Sequence, residues 1–185
     1  MLRFSFIYIF LFLQTSQLLC QFSGVLRKDL TEQDGIFYNK GVKFTGEVFD
    51  LNEKGRFITL EIFKKGILHG KRINYNSRNT NKLATEKFKN GKGIFRTYYN
   101  NNKLKSYGLL IKSIKYGEWI YYDKKGIIKA KEFWSMEIPN QLEWEKYYSQ
   151  EGVIETELFY KLGILSKEVY YDNEGNVLKS TKIDN

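Results

Sequence analysis

The stretch GEWIYYDKKGIIKAKEFW, Gly117 to Trp134, sets aromatic residues, lysines and glycines in close alternation. Read alone, it fits a sugar platform, a nucleic-acid surface or plain sheet core, and its recurrence decides between them. YYDKKG at Tyr121–Gly126 returns as YYSQEG at Tyr147–Gly152 and as YYDNEG at Tyr170–Gly175. YYNNNK at Tyr98–Lys103 keeps the aromatic pair but puts Lys103 in the glycine slot. Gly46, Gly70, Gly93 and Gly117 open successive units at intervals of 24, 23 and 24 residues. A fixed period of this size marks an array of one supersecondary unit.

Each block leads into a second segment of the same character, such as IIKAKEFW from Ile127 or VIETELFY from Val153. The unit therefore reads as two strands of about six residues joined by a short turn. Asp123 or Asp172 opens the turn and Gly126 or Gly175 closes it, residue types that accept hairpin backbone angles. No unit sustains the three-and-four spacing of a helix. The expected fold is all-β, an elongated antiparallel meander of about six hairpins. A second, wider turn is expected at the KKG and KNG points, Lys64–Gly66 and Lys89–Gly91. One hairpin cannot bury its apolar face alone, so neighbouring hairpins should stack, each covering the next unit's aromatic row. Val25 to Lys43 reads as the N-terminal cap.

The chain has 185 residues, a formal charge of +9 and a single cysteine. That length suits one domain. Residues 1–20 carry one cation, Arg3, then a mostly apolar run from Phe4 to Leu13 and a polar stretch. This is the layout of an export signal, with an apolar run too short to span a membrane. Cleavage is expected near Cys20–Gln21, leaving residues 21–185 as one repeat domain in the envelope or exterior. The other reading of the run is a buried N-terminal strand or helix. A lipid-anchored Cys20 is disfavoured because Leu19 stands where that site takes a small residue. Cleavage would remove the one thiol, which excludes disulfide scaffolds, thiolate metal sites and cysteine nucleophiles.

No residue set points to catalysis or to a cofactor. His69 is the sole histidine, and packing or a turn hydrogen bond suits it better than metal binding, which needs further ligands. Glu61, Glu86, Glu132 and Glu157 read as one repeat position on the second strands, paired with lysines across the sheet. A glycosidase pair needs two carboxylates in different environments, which a repeated position does not supply. No glycine run has the form of a phosphate loop. The lysines are spread over every unit, so single-stranded nucleic acid is not an expected partner. Their even spread suits a soluble sheet with blunted edges. The one place where the period fails is 134–144, WSMEIPNQLEW, which holds Trp134, Met136, Pro139 and Trp144. Either this is a longer connection with its tryptophans tucked inward, or it presents Trp134, Met136 and Trp144 to a partner.

The run YNKGVKFTGEVFDLNEKGRFITLEIFKKGILHGKRINY, with GEWIYYDKKG, resembles the MORN-repeat variant of bacterial proteins labelled YwqK-type antitoxins. The resemblance covers residues 35–183, and the exit motif is carried by Phe63, Lys65, Gly66, His69 and Gly70. It implies binding or scaffolding rather than catalysis, with a protein as the partner. The expected function is thus a non-enzymatic protein-binding module. The alternatives are a carbohydrate- or anionic-lipid-binding envelope module, with the tyrosine pairs as platforms, and a cytoplasmic antitoxin that neutralises a toxin. N-terminal sequencing of the natively expressed protein separates the last from the others: an exported chain begins near Gln21, whereas an intact Met1 removes the export reading.

Overall fold

A computed structural model describes residues 24–183, so the export signal expected over 1–20 lies outside the described residues. Strands β1 (Val25–Leu26), β5 (Gly46–Leu51), β6 (Phe57–Lys64), β7 (Ile67–Tyr75) and β8 (Lys82–Phe88) form one sheet in that order. β2 (Thr31–Gln33), β3 (Ile36–Asn39) and β4 (Val42–Lys43) form a small cap sheet. The third sheet holds eight strands in chain order: β9 (Lys92–Tyr98), β10 (Leu104–Ile111), β11 (Ile114–Tyr122), β12 (Ile128–Trp134), β13 (Leu142–Tyr148), β14 (Ile154–Lys161), β15 (Ile164–Tyr171) and β16 (Val177–Lys182). The pairings within these sheets are antiparallel except for the short β1–β5 contact. The fold is an all-β meander of hairpins, as the repeat predicts.

Successive hairpins do not stack face against face as expected. They lie edge to edge, joined by ladders such as β12–β13, because a hairpin's outer edge carries unpaired N–H and C=O groups that the next unit satisfies. The two kinds of turn are also exchanged relative to expectation. Lys65–Gly66, Asn90–Gly91, Lys112–Ser113 and Leu162–Gly163 are two-residue turns with positive φ at both positions, the geometry that follows the twist of the flanking strands. Glycine at the second position of three of them removes the steric cost of that angle. The wide turns are the others, at 52–56, 76–81, 99–103, 123–127, 149–153 and 172–176. Asp123 Oδ1 accepts the backbone N–H groups of Lys125, Gly126 and Ile127, and Asp172 caps its own turn in the same way.

The wide turns also show that Lys103 does not occupy the glycine slot. Tyr99 N–H bonds Lys103 O as Asp123 N–H bonds Ile127 O, which aligns Asn102 with Gly126. Asn102 has φ of 67°, and asparagine accepts that angle better than lysine does. Neighbouring wide turns are hydrogen-bonded to one another about one period apart. Asn52 donates to Ser77 O at 3.0 Å, Ser77 to Asn100 O at 3.2 Å, Tyr99 to Tyr122 O at 2.6 Å and Asn101 to Lys124 O at 3.0 Å.

Beyond the single bridge between Lys89 and Lys92, β8 and β9 belong to different sheets, and Arg72 of the first sheet reaches β9 of the third. Cross-strand register identifies the inner face. Val48 pairs with Glu61, Arg72 with Glu86, Phe95 with Gly108 and Trp119 with Glu132, so Glu61, Glu86, Gly108 and Glu132 occupy one repeat position. A side chain at Gly108 would run into the Trp119 indole, which explains why this unit has no carboxylate there. Glu157 does not belong to the series, because its counterpart is Leu158, paired with Glu145. A one-residue offset sends a side chain to the opposite face.

Arg72 stands where the two sheets meet. It donates to Glu61 at 2.7 Å, to Glu86 at 2.7 Å and to the Arg96 carbonyl oxygen at 2.8 Å, and its guanidinium lies 4.0 Å from the Phe95 ring centroid. Arg27 completes the pairing of Glu61 from the 3-10 turn at Arg27–Asp29. Arg72, Glu61 and Glu86 are all buried. Burial pulls the Arg72 guanidinium below its ordinary value, and Glu86 opposes the shift. Beside this centre Phe37, Val48 and Phe63 form the apolar core, and about 450 Å³ of space remains between Phe63, Phe95, Lys112 and Ser113. Arg72→Met leaves two buried carboxylates short of their shared cation. It should destabilise the fold by about 3–5 kcal/mol, measured as a lower urea midpoint.

Candidate functional site

Among the described residues, β11 to β16 form one continuous sheet whose backbone contacts are with the neighbouring strands of that sheet. Its faces follow from register. One carries the row Trp119, Glu132, Glu145, Leu158, Glu168 and Thr181, and beside it the row Tyr121, Ala130, Tyr147, Thr156, Tyr170 and Lys179. We call this the glutamate face. The other, the lysine face, carries Lys131, Lys146 and Glu157 in one row and Phe133, Trp144, Phe159, Lys167 and Lys182 in the next.

On the glutamate face the carboxylates hold the aromatic side chains in place. Glu132 Oε2 accepts from Tyr121 Oη at 2.6 Å, Trp134 Nε1 at 2.7 Å and Lys115 Nζ at 2.8 Å. Glu145 accepts from Tyr160 at 2.7 Å. Glu168 accepts from Tyr170 at 3.3 Å. Tyr147 and Tyr170 remain exposed, and the Tyr170 ring is hydrogen-bonded at its hydroxyl and open to a ligand along the rest. Two-χ aromatic side chains held this way lose little further entropy on binding.

The three residues singled out at the break in the period are not all brought together. Trp134 lies on the glutamate face, with Lys115 5.0 Å from its ring centroid. Trp144 lies on the lysine face, stacked on Phe133 at 5.6 Å with Lys146 5.1 Å from its ring centroid. Met136 is exposed in the 135–141 connection, beyond the end of β12. That connection is anchored by buried Ser135, whose N–H bonds Gln141 O and whose hydroxyl accepts from Glu137 and Ile138.

The other residues weighed from sequence have structural partners. The three glutamates of the series are ion-paired across strands, Glu61 and Glu86 with Arg72 and Glu132 with Lys115, and Glu157 on the other face pairs with Lys146 at 2.6 Å. His69 Nδ1 accepts the Asn90 N–H at 3.3 Å, the turn hydrogen bond expected of it. Among the described residues no group of three or more histidine, cysteine or acidic side chains is placed to hold a metal ion. No helix there is long and apolar enough to cross a membrane. Sequence reading passed over Lys115 and Glu145. Their roles come from cross-strand register and carry no local signal beyond lying near tyrosines. Against known families and curated proteins, the chain matches none.

The tyrosine–glutamate pairs shift the phenols upward. Burial and the Glu132 hydrogen bond raise Tyr121, burial and Glu145 raise Tyr147 and Tyr160, and on the lysine face the Glu157 hydrogen bond raises Tyr171 to about 12. An unfolded phenol ionises near 10.0, so above that pH the folded state binds more protons than the unfolded chain. Stability from these pairs is therefore full below pH 10 and lost as pH rises through the folded values. Urea midpoints should fall steadily above pH 10, and Tyr160→Phe should flatten that fall; an unchanged slope in the variant would count against the pairing.

Proposed function

We propose that this chain is a non-enzymatic binding protein of the cell envelope or exterior that presents its glutamate face to another protein. The observation that supports this most directly is the row Tyr121, Tyr147 and Tyr170, set on the alternate strands β11, β13 and β15, with Glu132 and Glu168 hydrogen-bonded to Tyr121 and Tyr170 and with Tyr147 and Tyr170 exposed. Interfaces concentrate their energy in such aromatic anchors when they are rigid and can be desolvated by a partner. The carboxylates among the rings favour a partner surface that carries cations. The resemblance to MORN-repeat antitoxin-like proteins points the same way, toward a protein partner, and export of the chain rests on the reading of residues 1–20.

The opposite face supports a second reading. Lys131 directly opposes Lys146, and Lys167 directly opposes Lys182; Glu118 pairs with Lys131 at 3.6 Å and Glu157 with Lys146 at 2.6 Å. Like charges placed as Lys167 and Lys182 are repel one another, and an anionic lipid or polysaccharide surface would relieve that repulsion. The two readings use different faces, which makes them separable.

The test is capture of partners from the native host, followed by calorimetric titration of the purified partner with face-specific variants. Trp134→Ala and Tyr147→Ala should each weaken binding by roughly tenfold or more, and Trp144→Ala and Lys182→Ala should leave it within about twofold. The reverse pattern, with salt-sensitive loss in Lys182→Ala, assigns binding to the lysine face and refutes the glutamate-face reading.

A further inference from the structure

The Lys115 ammonium sits in an aromatic cage. Its Nζ lies 5.2 Å from the Trp119 ring centroid, 5.3 Å from that of Tyr121 and 5.0 Å from that of Trp134. The Tyr121 hydroxyl accepts from it at 2.6 Å and Glu132 at 2.8 Å. Aromatic rings around a carboxylate are the surroundings in which proteins recognise alkylammonium cations. Here the guest is supplied by the same chain, from the start of β11, just past the Lys112–Ser113 turn.

Two features make the cage independent of its guest. Tyr121 and Trp134 hydrogen-bond Glu132 directly, and Trp119 is buried with its Nε1 donating to the Leu109 oxygen at 3.1 Å, so the walls are fixed without Lys115. Glu145 stands opposite Glu132 on the next strand, so removing the ammonium leaves Glu132 without its cation and opposite a second carboxylate. The Lys115 side chain is 34% exposed, so the cage opens to solvent.

We propose that this cage is an alkylammonium-binding site with Lys115 as its resident occupant, and that a lysine side chain of a partner protein exchanges with it. The proposal rests on the glutamate face being the partner-binding surface, and it names the chemical group read there. A tethered occupant competes at an effective concentration in the millimolar range. A partner lysine therefore displaces it only when contacts to the neighbouring tyrosines, Tyr147 and Tyr170, add to its affinity.

Two measurements on the free chain test the cage without a partner. In the first, Lys115→Ala is titrated with n-butylammonium chloride, against sodium chloride at equal ionic strength, and tryptophan fluorescence is followed. A saturable response is expected, roughly tenfold tighter than in the unaltered chain and abolished when Trp134→Ala is added. A folded Lys115→Ala chain that responds alike to both salts overturns the proposal. The second keeps Lys115 in place and follows its acetylation by mass spectrometry relative to exposed Lys129. Lys115 should react more slowly than Lys129, and tetramethylammonium chloride should accelerate it by opening the cage. Acetylation at the Lys129 rate, or no acceleration, overturns the proposal even if the variant fails to fold. Loss of partner binding in Tyr147→Ala with an intact cage response would leave the surface reading standing, whereas an absent cage response with partner binding retained would remove the cage alone.

Discussion

Two buried carboxylates separated by a single guanidinium set the geometry of the N-terminal half. Glu61 and Glu86 come from β6 and β8, and Arg72 between them also reaches the backbone of β9. Desolvating such charges costs several kcal/mol each, and only good geometry with full hydrogen bonding offsets that cost. The arrangement is therefore demanding about register: a one-residue slip in β6, β7 or β8 would carry a charge to the wrong face. Apolar packing of Phe37, Val48 and Phe63 supplies cohesion beside it, but an apolar contact does not discriminate between registers so strictly.

The periodic parts of this architecture were legible in the sequence because their signals are local. The tyrosine pairs, the glycines and the asparagine or aspartate at the head of four of the six wide turns announce strands and turns. Other features went unread because a contact across strands has no local signature. The arginines are sparse, and nothing in the neighbourhood of Arg72 marks it as the centre of a network. Asn102 was hidden because asparagine performs glycine's backbone role with a side chain attached. Glu157 looked like a member of the glutamate series because its surroundings match by eye, whereas its pairing with Lys146 sets it on the other face. Lys115, Trp119, Tyr121, Glu132 and Trp134 come from two strands and three short words of sequence, and only the β11–β12 register assembles them.

The C-terminal half works differently from the N-terminal half. Among the described residues β11 to β16 form one sheet, and each of its faces carries its own chemistry: phenols bonded to carboxylates on one, lysines over aromatic rings on the other. A single sheet of this kind has no deep core, so its side chains contribute by cross-strand pairing within each face. The formal charge of the whole chain consequently describes neither face. An overall excess of lysine coexists with a face on which Glu132, Glu145 and Glu168 stand in a row broken only by Leu158.

The hydrogen-bonded series of wide turns has an implication for how such a chain can change its length. Asn52, Ser77, Tyr99 and Asn101 each tie a turn to the one next to it, and each hairpin's ladder ends on its immediate neighbours. Stability in such an array is close to a sum over units and their junctions. Duplication or loss of a hairpin beyond β12 would alter two junctions and leave the guanidinium centre untouched. The outer units are thus free to vary in number while the first sheet stays fixed, so the reach of the binding faces can evolve separately from the part that anchors the fold.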